Sequence, residues 1–174
     1  MLRIFSWRLG FYLIVLVTLD MTLGARARVG NACLFLSYLP VIYAAFHWGG
    51  AKALPTAVMV GILRDTASTG FLGLETLSLV LASWPLMVAV QKLRRELWML
   101  KAGITFLFVL TVLLIQGSIW MIFGRFSFQI EMLLGTLLGS ALYTTLAAFP
   151  FFKLSDRWFE GRMHLKQYEF FRRT

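Results

Sequence analysis

Long apolar segments separated by short, cation-rich connections are the feature that most limits how this chain folds. Hydropathy places six such segments, at residues 9–24, 29–46, 53–63, 73–90, 102–123 and 132–152. A helix needs about 20 apolar residues to cross a bilayer, and only helices or closed barrels satisfy every backbone polar group in lipid. The segments therefore predict an all-α membrane protein, a bundle of six transmembrane helices forming one integral membrane domain over residues 1–174.

The composition agrees with a lipid environment. Hydrophobic residues make up 59% of the chain and charged residues 14%, whereas soluble domains carry about 25% charged residues. The segment 53–63 is shorter than a usual span and contains Pro55, so the sequence leaves open whether it crosses the bilayer completely.

Lysine and arginine predict the orientation. The formal net charge is +9, and with six spans most of the cations fall on the side that holds both termini. Because cytoplasmic loops keep an excess of these residues, we expect both termini in the cytosol. The cations lie in short flanks of apolar spans, which favours contact with anionic membrane lipids over binding of nucleic acid.

Two basic segments lie on this side: the elbow QKLRRELWMLK, and the amphipathic tail over residues 153–174. Such segments are typical of the head-group layer of a membrane, and a cytoplasmic protein partner is the alternative. The candidate contact residues are Arg94, Arg95, Arg157, Trp158, Arg162 and Lys166.

The stretch VGILRDTASTGFLGLETLSL places charges next to an apolar span. Ala57, Gly61 and Asp65 are four residues apart and share one helix face, and small residues on that face let a neighbouring helix approach closely. Arg64 and Asp65 are adjacent and point in different directions. Because a charge at mid-bilayer costs about 2.5 to 3.5 kcal/mol, we expect both at the helix end, near the outer interface.

The connection after this helix contains Gly73, which permits a turn, and Glu75, which we expect to open the fourth helix. A carboxylate there is favoured by the positive end of the helix dipole.

Catalytic and metal-binding patterns are weak. Asp20 lies toward the end of the first span, where hydration makes a carboxylate tolerable, and Asp20 with Asp65 only faintly resembles the carboxylate pair of intramembrane aspartyl peptidases. His47 and His164 lack the spacing of metal ligands. We therefore predict no catalytic residue, no cofactor and no metal ion, and a protein that is not an enzyme.

The sixth span, LLGTLLGSALYTTLAA, carries a ridge of small residues made of Gly135, Gly139, Ser140 and Thr144. Such ridges pack helices closely. The ridge predicts either packing within the bundle or a seam with another chain, which is a partner protein or a second copy in a homodimer.

The order of these features resembles the MreD family of rod shape-determining membrane proteins. The resemblance extends from about residue 34 to residue 114 and rests on a short span closing in G-x-x-x-D, a small-residue turn, L-G, and a long span followed by a basic elbow. Gly61, Asp65 and Gly73 occupy the most recognisable family positions, with Ala57 on the same helix face.

The resemblance implies a non-enzymatic subunit of the cell-elongation complex in the bacterial inner membrane. Such a subunit partners MreC and acts with MreB, RodA and a penicillin-binding transpeptidase to direct lateral peptidoglycan synthesis and cell shape. The family resemblance also implies the helical fold of the S components of energy-coupling transporters. A substrate-binding transporter subunit of that kind, or a protein that handles lipids or lipid-linked precursors, is the alternative function.

Overall fold

The computed structural model describes residues 7–26, 32–68, 71–92, 98–123 and 130–159. These residues form six α-helices: α1 (Trp7–Arg26), α2 (Leu39–Trp48), α3 (Gly50–Ala67), α4 (Leu74–Lys92), α5 (Trp98–Ile122) and α6 (Ile130–Phe159). A 3₁₀ turn, Leu36–Tyr38, leads directly into α2. The regular elements of the described chain are helical, as the sequence predicts.

Among the described residues, two helices are long and apolar enough to cross a membrane. The qualifying stretches are Met99–Ile122 in α5 and Gly135–Arg157 in α6. Shorter apolar stretches lie in α1, in the 3₁₀ turn with α2, and in α4, at Gly10–Thr22, Leu36–His47 and Leu74–Val90.

The short helix α2 is the centre of the bundle. Every residue from Ser37 to Phe46 is buried, and α2 packs against α3, α4, α5 and α6 while the 3₁₀ turn packs against α1. Its sequence, LPVIYAAFHW, is apolar on all sides, which is the pattern of a helix surrounded by other helices. The pairs α3–α4, α4–α5 and α5–α6 also pack side by side.

Contacts between distant residues define two ends of the bundle. At one end the hydroxyl oxygens of Tyr12 and Ser155 lie 2.7 Å apart, His47 Nε2 lies 3.0 Å from Asp156 Oδ1, and Lys101 Nζ lies 6.0 Å from the centre of the Phe46 ring. We call this the Lys101 end. It joins the start of α1, the end of α2, the start of α5 and the end of α6.

The opposite end, which we call the Arg64 end, joins residues near the ends of α1, α3 and α5 to the first turn of α4 through polar side chains. Consecutive helices therefore run in alternating directions.

The helix within the predicted second span, 29–46, begins later than the start of that span. Cys33–Phe35 are not helical, and the α-helix begins only at Leu39. Pro40 lies in the first turn of α2, where its missing N–H is tolerated and its ring disfavours a preceding α-helical turn. Residues 29–31 lie outside the described chain.

Two other helices extend beyond the spans that the sequence predicts. The third helix covers Gly50–Ala67 instead of 53–63, because its charged last turn stays helical when its side chains find partners inside the bundle. The sixth helix continues to Phe159, so the predicted tail begins as the last part of α6, in which Lys153 and Arg157 are exposed.

Candidate functional site: a buried polar cluster

The guanidinium group of Arg64 is the centre of a buried polar cluster at the Arg64 end. Arg64 Nη1 donates to Asp20 Oδ2 and to Ser37 Oγ, each at 2.5 Å. Asp20 also accepts from Ser37 Oγ at 2.6 Å and from the Leu36 backbone N–H at 2.8 Å. Only 7% of Arg64 and 5% of Asp20 are exposed, so this is an ion pair removed from solvent.

A second carboxylate lies on the other side of the guanidinium. Arg64 Nη2 donates to Glu75 Oε1 at 3.4 Å, and Arg64 Nε lies 3.3 Å from Glu75 Oε2. Glu75 Oε2 also accepts from Gln116 Nε2 at 2.7 Å and from Tyr38 Oη at 3.2 Å. Gln116 Nε2 is also within reach of Tyr38 Oη, at 3.1 Å, and of Ser78 Oγ, at 3.2 Å.

Two aromatic rings cover the guanidinium. The Arg64 Cζ atom lies 4.9 Å from the centre of the Tyr38 ring and 5.4 Å from that of Phe35, and the two rings stack with their centres 5.1 Å apart. Aromatic faces attract a cation more strongly when water is excluded. The cluster thus combines ion pairs, hydrogen bonds and cation–π contacts around one arginine.

The antiparallel order of the helices explains why these residues meet. Asp20 and Arg64 lie near the ends of α1 and α3, which run in the same direction, and Glu75 lies in the first turn of α4. Gln116 lies near the end of α5. The cluster therefore ties four helices to the 3₁₀ turn that leads into α2.

Asp65, adjacent to Arg64, serves a different purpose. Its carboxylate accepts hydrogen bonds from the backbone N–H groups of Glu75 and Thr76, at 3.0 and 3.1 Å, and from Thr76 Oγ1 at 2.5 Å. The first N–H groups of a helix have no partner within the helix, and a carboxylate there also interacts favourably with the helix dipole. Asp65 therefore caps α4 from a neighbouring helix.

Gly61 places α3 directly against α4, as the small-residue face predicts. A Cβ atom added at Gly61 would overlap the backbone Cα of Thr76, so only glycine permits this separation. Ala57, on the same face, is fully buried. Gly73 has a φ of 91° in the turn before α4, a conformation that favours glycine.

The ridge on α6 packs against its own chain. Ser140 Oγ accepts from the Cys33 N–H at 2.9 Å, and Thr144 Oγ1 accepts from the Phe35 N–H at 3.2 Å. A Cβ at Gly139 would lie 3.2 Å from the Ala32 Cβ. Gly139, Ser140 and Thr144 thus pack within the bundle, which is one of the two arrangements that the ridge predicts. Gly135 is exposed, with open space beside it.

The remaining predicted contact residues are separate from the cluster. Arg157 is exposed at the Lys101 end, and Trp158 lies in the last turn of α6. Arg94, Arg95, Arg162 and Lys166 lie outside the described residues.

Sequence reasoning missed Asp20 as a member of the site. We expected its carboxylate to be hydrated, and it is instead buried against Arg64. A signal was available, because an ionisable residue inside an apolar segment usually pairs with an opposite charge in the bundle, and the first and third spans end on the same side. Ser37, Tyr38 and Gln116 carry no comparable local pattern.

The Asp20 and Asp65 carboxylates have different partners, one the Arg64 guanidinium and the other the start of α4. Within the described ranges, His, Cys, Asp and Glu form no group of three or more that could hold a metal ion.

The chain matches no protein-family model, no curated protein and no solved structure.

Proposed function

We propose that this chain is a non-enzymatic, multi-pass subunit of the cell-elongation complex of a bacterial inner membrane. It partners MreC directly and acts with MreB, RodA and a penicillin-binding transpeptidase in lateral peptidoglycan synthesis. The observation that carries the proposal is the α3–α4 junction, in which Gly61, Asp65 and Gly73, the positions of the family resemblance, each have a distinct structural role.

The exposed surface supports placement in a membrane. Large apolar side chains face outward along the helices, among them Trp84, Leu107 and Leu146. A bilayer accepts apolar surface on every outward face, provided that backbone polar groups are paired internally. Under this proposal the Lys101 end, with Lys52, Lys153 and Arg157 exposed, faces the cytosol together with both termini.

The closed polar cluster supports a scaffold. Asp20, Arg64 and Glu75 bind one another across helices, and such a network fixes the relative positions of the helices. A rigid bundle presents constant surfaces to its neighbours, which is what a subunit that holds other membrane proteins together requires.

Co-purification from native membranes tests the proposal. The chain, carrying an affinity tag after Thr174, is extracted in mild detergent from a rod-shaped bacterium that expresses it, and the associated proteins are identified by mass spectrometry. We expect MreC and the wall synthases. The variant Arg64→Gln, which breaks the cluster, is the control for specific capture by the folded protein. It should recover less MreC and less of the wall synthases.

Two outcomes would contradict the proposal. A transporter ATPase in place of MreC would favour the substrate-binding transporter subunit, and recovery of neither would reject membership of the elongation complex. The ability of the chain to restore rod shape in cells that lack their own subunit is an independent measurement.

A further inference from the structure

An exposed group of aromatic rings lies at the Arg64 end, separate from the polar cluster. The centre of the Phe71 ring, in the turn before α4, lies 5.4 Å from the Trp120 ring centre and 5.1 Å from that of Phe123. We call these three residues the aromatic patch. Phe123 is 60% exposed, and Leu72 and Ile122, next to the patch in sequence, are 82% and 81% exposed. An exposed apolar patch of this kind indicates an interaction site.

The distance along α5 from Lys101 to the patch matches the thickness of a bilayer. Trp120 follows Lys101 by 19 residues on α5, and at a rise of about 1.5 Å per residue the two positions are about 29 Å apart along the helix axis. The hydrocarbon core of a bilayer is about 30 Å thick. No lysine, arginine, aspartate or glutamate lies between the two residues. A membrane that has Lys101 at one head-group layer therefore has Trp120 at the other.

The chemistry of the patch also suits a head-group layer. Tryptophan has an apolar ring and a polar N–H group, and it is enriched where acyl chains meet head groups. Trp120 follows Gln116 of the polar cluster by four residues, so both lie on one face of α5 and the cluster is about 6 Å deeper than the patch. The patch thus lies between the buried charges and the outer end of the bundle.

We propose that the aromatic patch binds the phospholipid head-group layer of the leaflet at the Arg64 end. The rings lie where head groups meet acyl chains, and they hold this end of the bundle at a constant depth. The polar cluster then lies inside the hydrocarbon, about 6 Å below the rings, where water does not compete for its ion pairs. The inference requires the membrane placement of the proposed function and is independent of the elongation complex.

Nitroxide labels measure the depth of the patch in vesicles. The full-length chain with Cys33→Ala, which removes its single thiol, is labelled at one new cysteine at a time and reconstituted into phosphatidylglycerol and phosphatidylethanolamine. The new cysteines are Leu72→Cys, Ile122→Cys and, further along α5 from the patch, Leu107→Cys. Collisions of each label with oxygen, which concentrates among acyl chains, and with a water-soluble nickel chelate give its depth. We expect the labels at positions 72 and 122 at the level of the phosphates and the label at position 107 deeper in the hydrocarbon.

Every other depth pattern contradicts the proposal. Labels at positions 72 and 122 that are as deep as the label at position 107, or freely exposed to water, would overturn it. Labels at these positions that are shielded from both lipid and water would indicate a protein partner at the patch and would overturn it too. If the label at position 107 contacts no lipid, the membrane placement fails, and the proposed function fails with it.

A variant without the aromatic rings tests the anchor itself. Phe71→Leu/Trp120→Leu/Phe123→Leu keeps apolar side chains and removes the preference of aromatic rings for the head-group layer. In a bilayer of longer acyl chains, the label at position 122 should stay at the phosphates when the rings are present and sink into the hydrocarbon when they are absent, because nothing then resists the mismatch. Trp84→Leu is the matched control, since Trp84 is exposed within α4 and away from the patch, and it should leave the depth unchanged. Equal depth with and without the rings would overturn the proposal.

Discussion

Arg64 is held by two carboxylates and two aromatic rings because no single partner compensates for burying a guanidinium group. Its contacts to Asp20 and Glu75 reach α1 and α4, and its planar fork suits such bonding better than a lysine ammonium group does. Insertion of a charge into lipid is unfavourable. The Arg64 side chain is therefore stable inside the bundle only when the folded helices bring its partners to it.

Replacing Arg64 tests this dependence. Arg64→Gln leaves the buried Asp20 and the partly buried Glu75 without their cation, and removing one partner of a buried ion pair costs about 3–5 kcal/mol. We expect the free energy of unfolding in detergent to fall by about that amount. Arg26→Gln is the control, since Arg26 is exposed at the end of α1 and should change stability by less than about 0.5 kcal/mol. Equal stability of the two variants would show that the ion pairs contribute little.

Gly61 is the residue that sets the distance between α3 and α4. Gly61→Ala puts a methyl group onto the Thr76 backbone, and overpacking of this kind costs about 1–3 kcal/mol. Gly103→Ala is the matched control, because a Cβ at that helical position meets open space and alanine favours a helix by about 0.5–1 kcal/mol. Thermal unfolding should rank Gly61→Ala below the unmodified protein and Gly103→Ala at or above it. The reverse order would contradict close α3–α4 packing.

At the scale of elements, the extended residues before α2 depend on α6. Backbone N–H groups inside a membrane protein need partners, and those of Cys33 and Phe35 find the hydroxyl oxygens of Ser140 and Thr144. A segment that is helical by hydropathy is thus extended over part of its length, and α6 supplies the acceptors that make this possible.

Removing those acceptors should loosen the extended residues. In Ser140→Ala/Thr144→Val the two part-buried N–H groups lose their partners, and a fully buried donor left unpaired costs about 1–3 kcal/mol. Hydrogen exchange at Cys33 and Phe35 should become faster, while exchange in α4 stays slow. Thr145→Val is the control, because Thr145 Oγ1 donates to the Ala141 carbonyl of its own helix. Protection at Cys33 that survives in the double variant would contradict the assignment.

Local patterns predicted the elements better than their partners. The spacing of Ala57, Gly61 and Asp65 predicted the close approach of a neighbouring helix without naming that helix, and Glu75 lies in the first turn of α4 as expected. The cap that Asp65 provides for α4, and the burial of Asp20 beside Arg64, depend on residues brought together by the fold. A hydropathy average also treats Arg64 and Asp65 as the end of a span, whereas paired charges stay helical in α3.

At the scale of the whole molecule, the two ends of the bundle differ in charge. The described acidic side chains of the Arg64 end, Asp20, Asp65 and Glu75, have partners within the bundle. The Lys101 end exposes Lys52, Lys153 and Arg157, and its Asp156 pairs with His47. Such an asymmetry orients a membrane protein during insertion, because lysine and arginine are retained on the cytosolic side.

Reporter fusions test this orientation together with the number of crossings. Alkaline phosphatase, which is active only outside the cytosol, should be inactive when fused after Thr174 and active when fused after Ser68, at the end of α3. Green fluorescent protein, which fluoresces in the cytosol, should give the opposite pattern at the same two sites. The paired result requires an odd number of crossings between Ser68 and Thr174. Phosphatase activity after Thr174 would place the Lys101 end outside the cytosol, and equal activity at both sites would mean an even number of crossings between Ser68 and Thr174, which contradicts the predicted bundle.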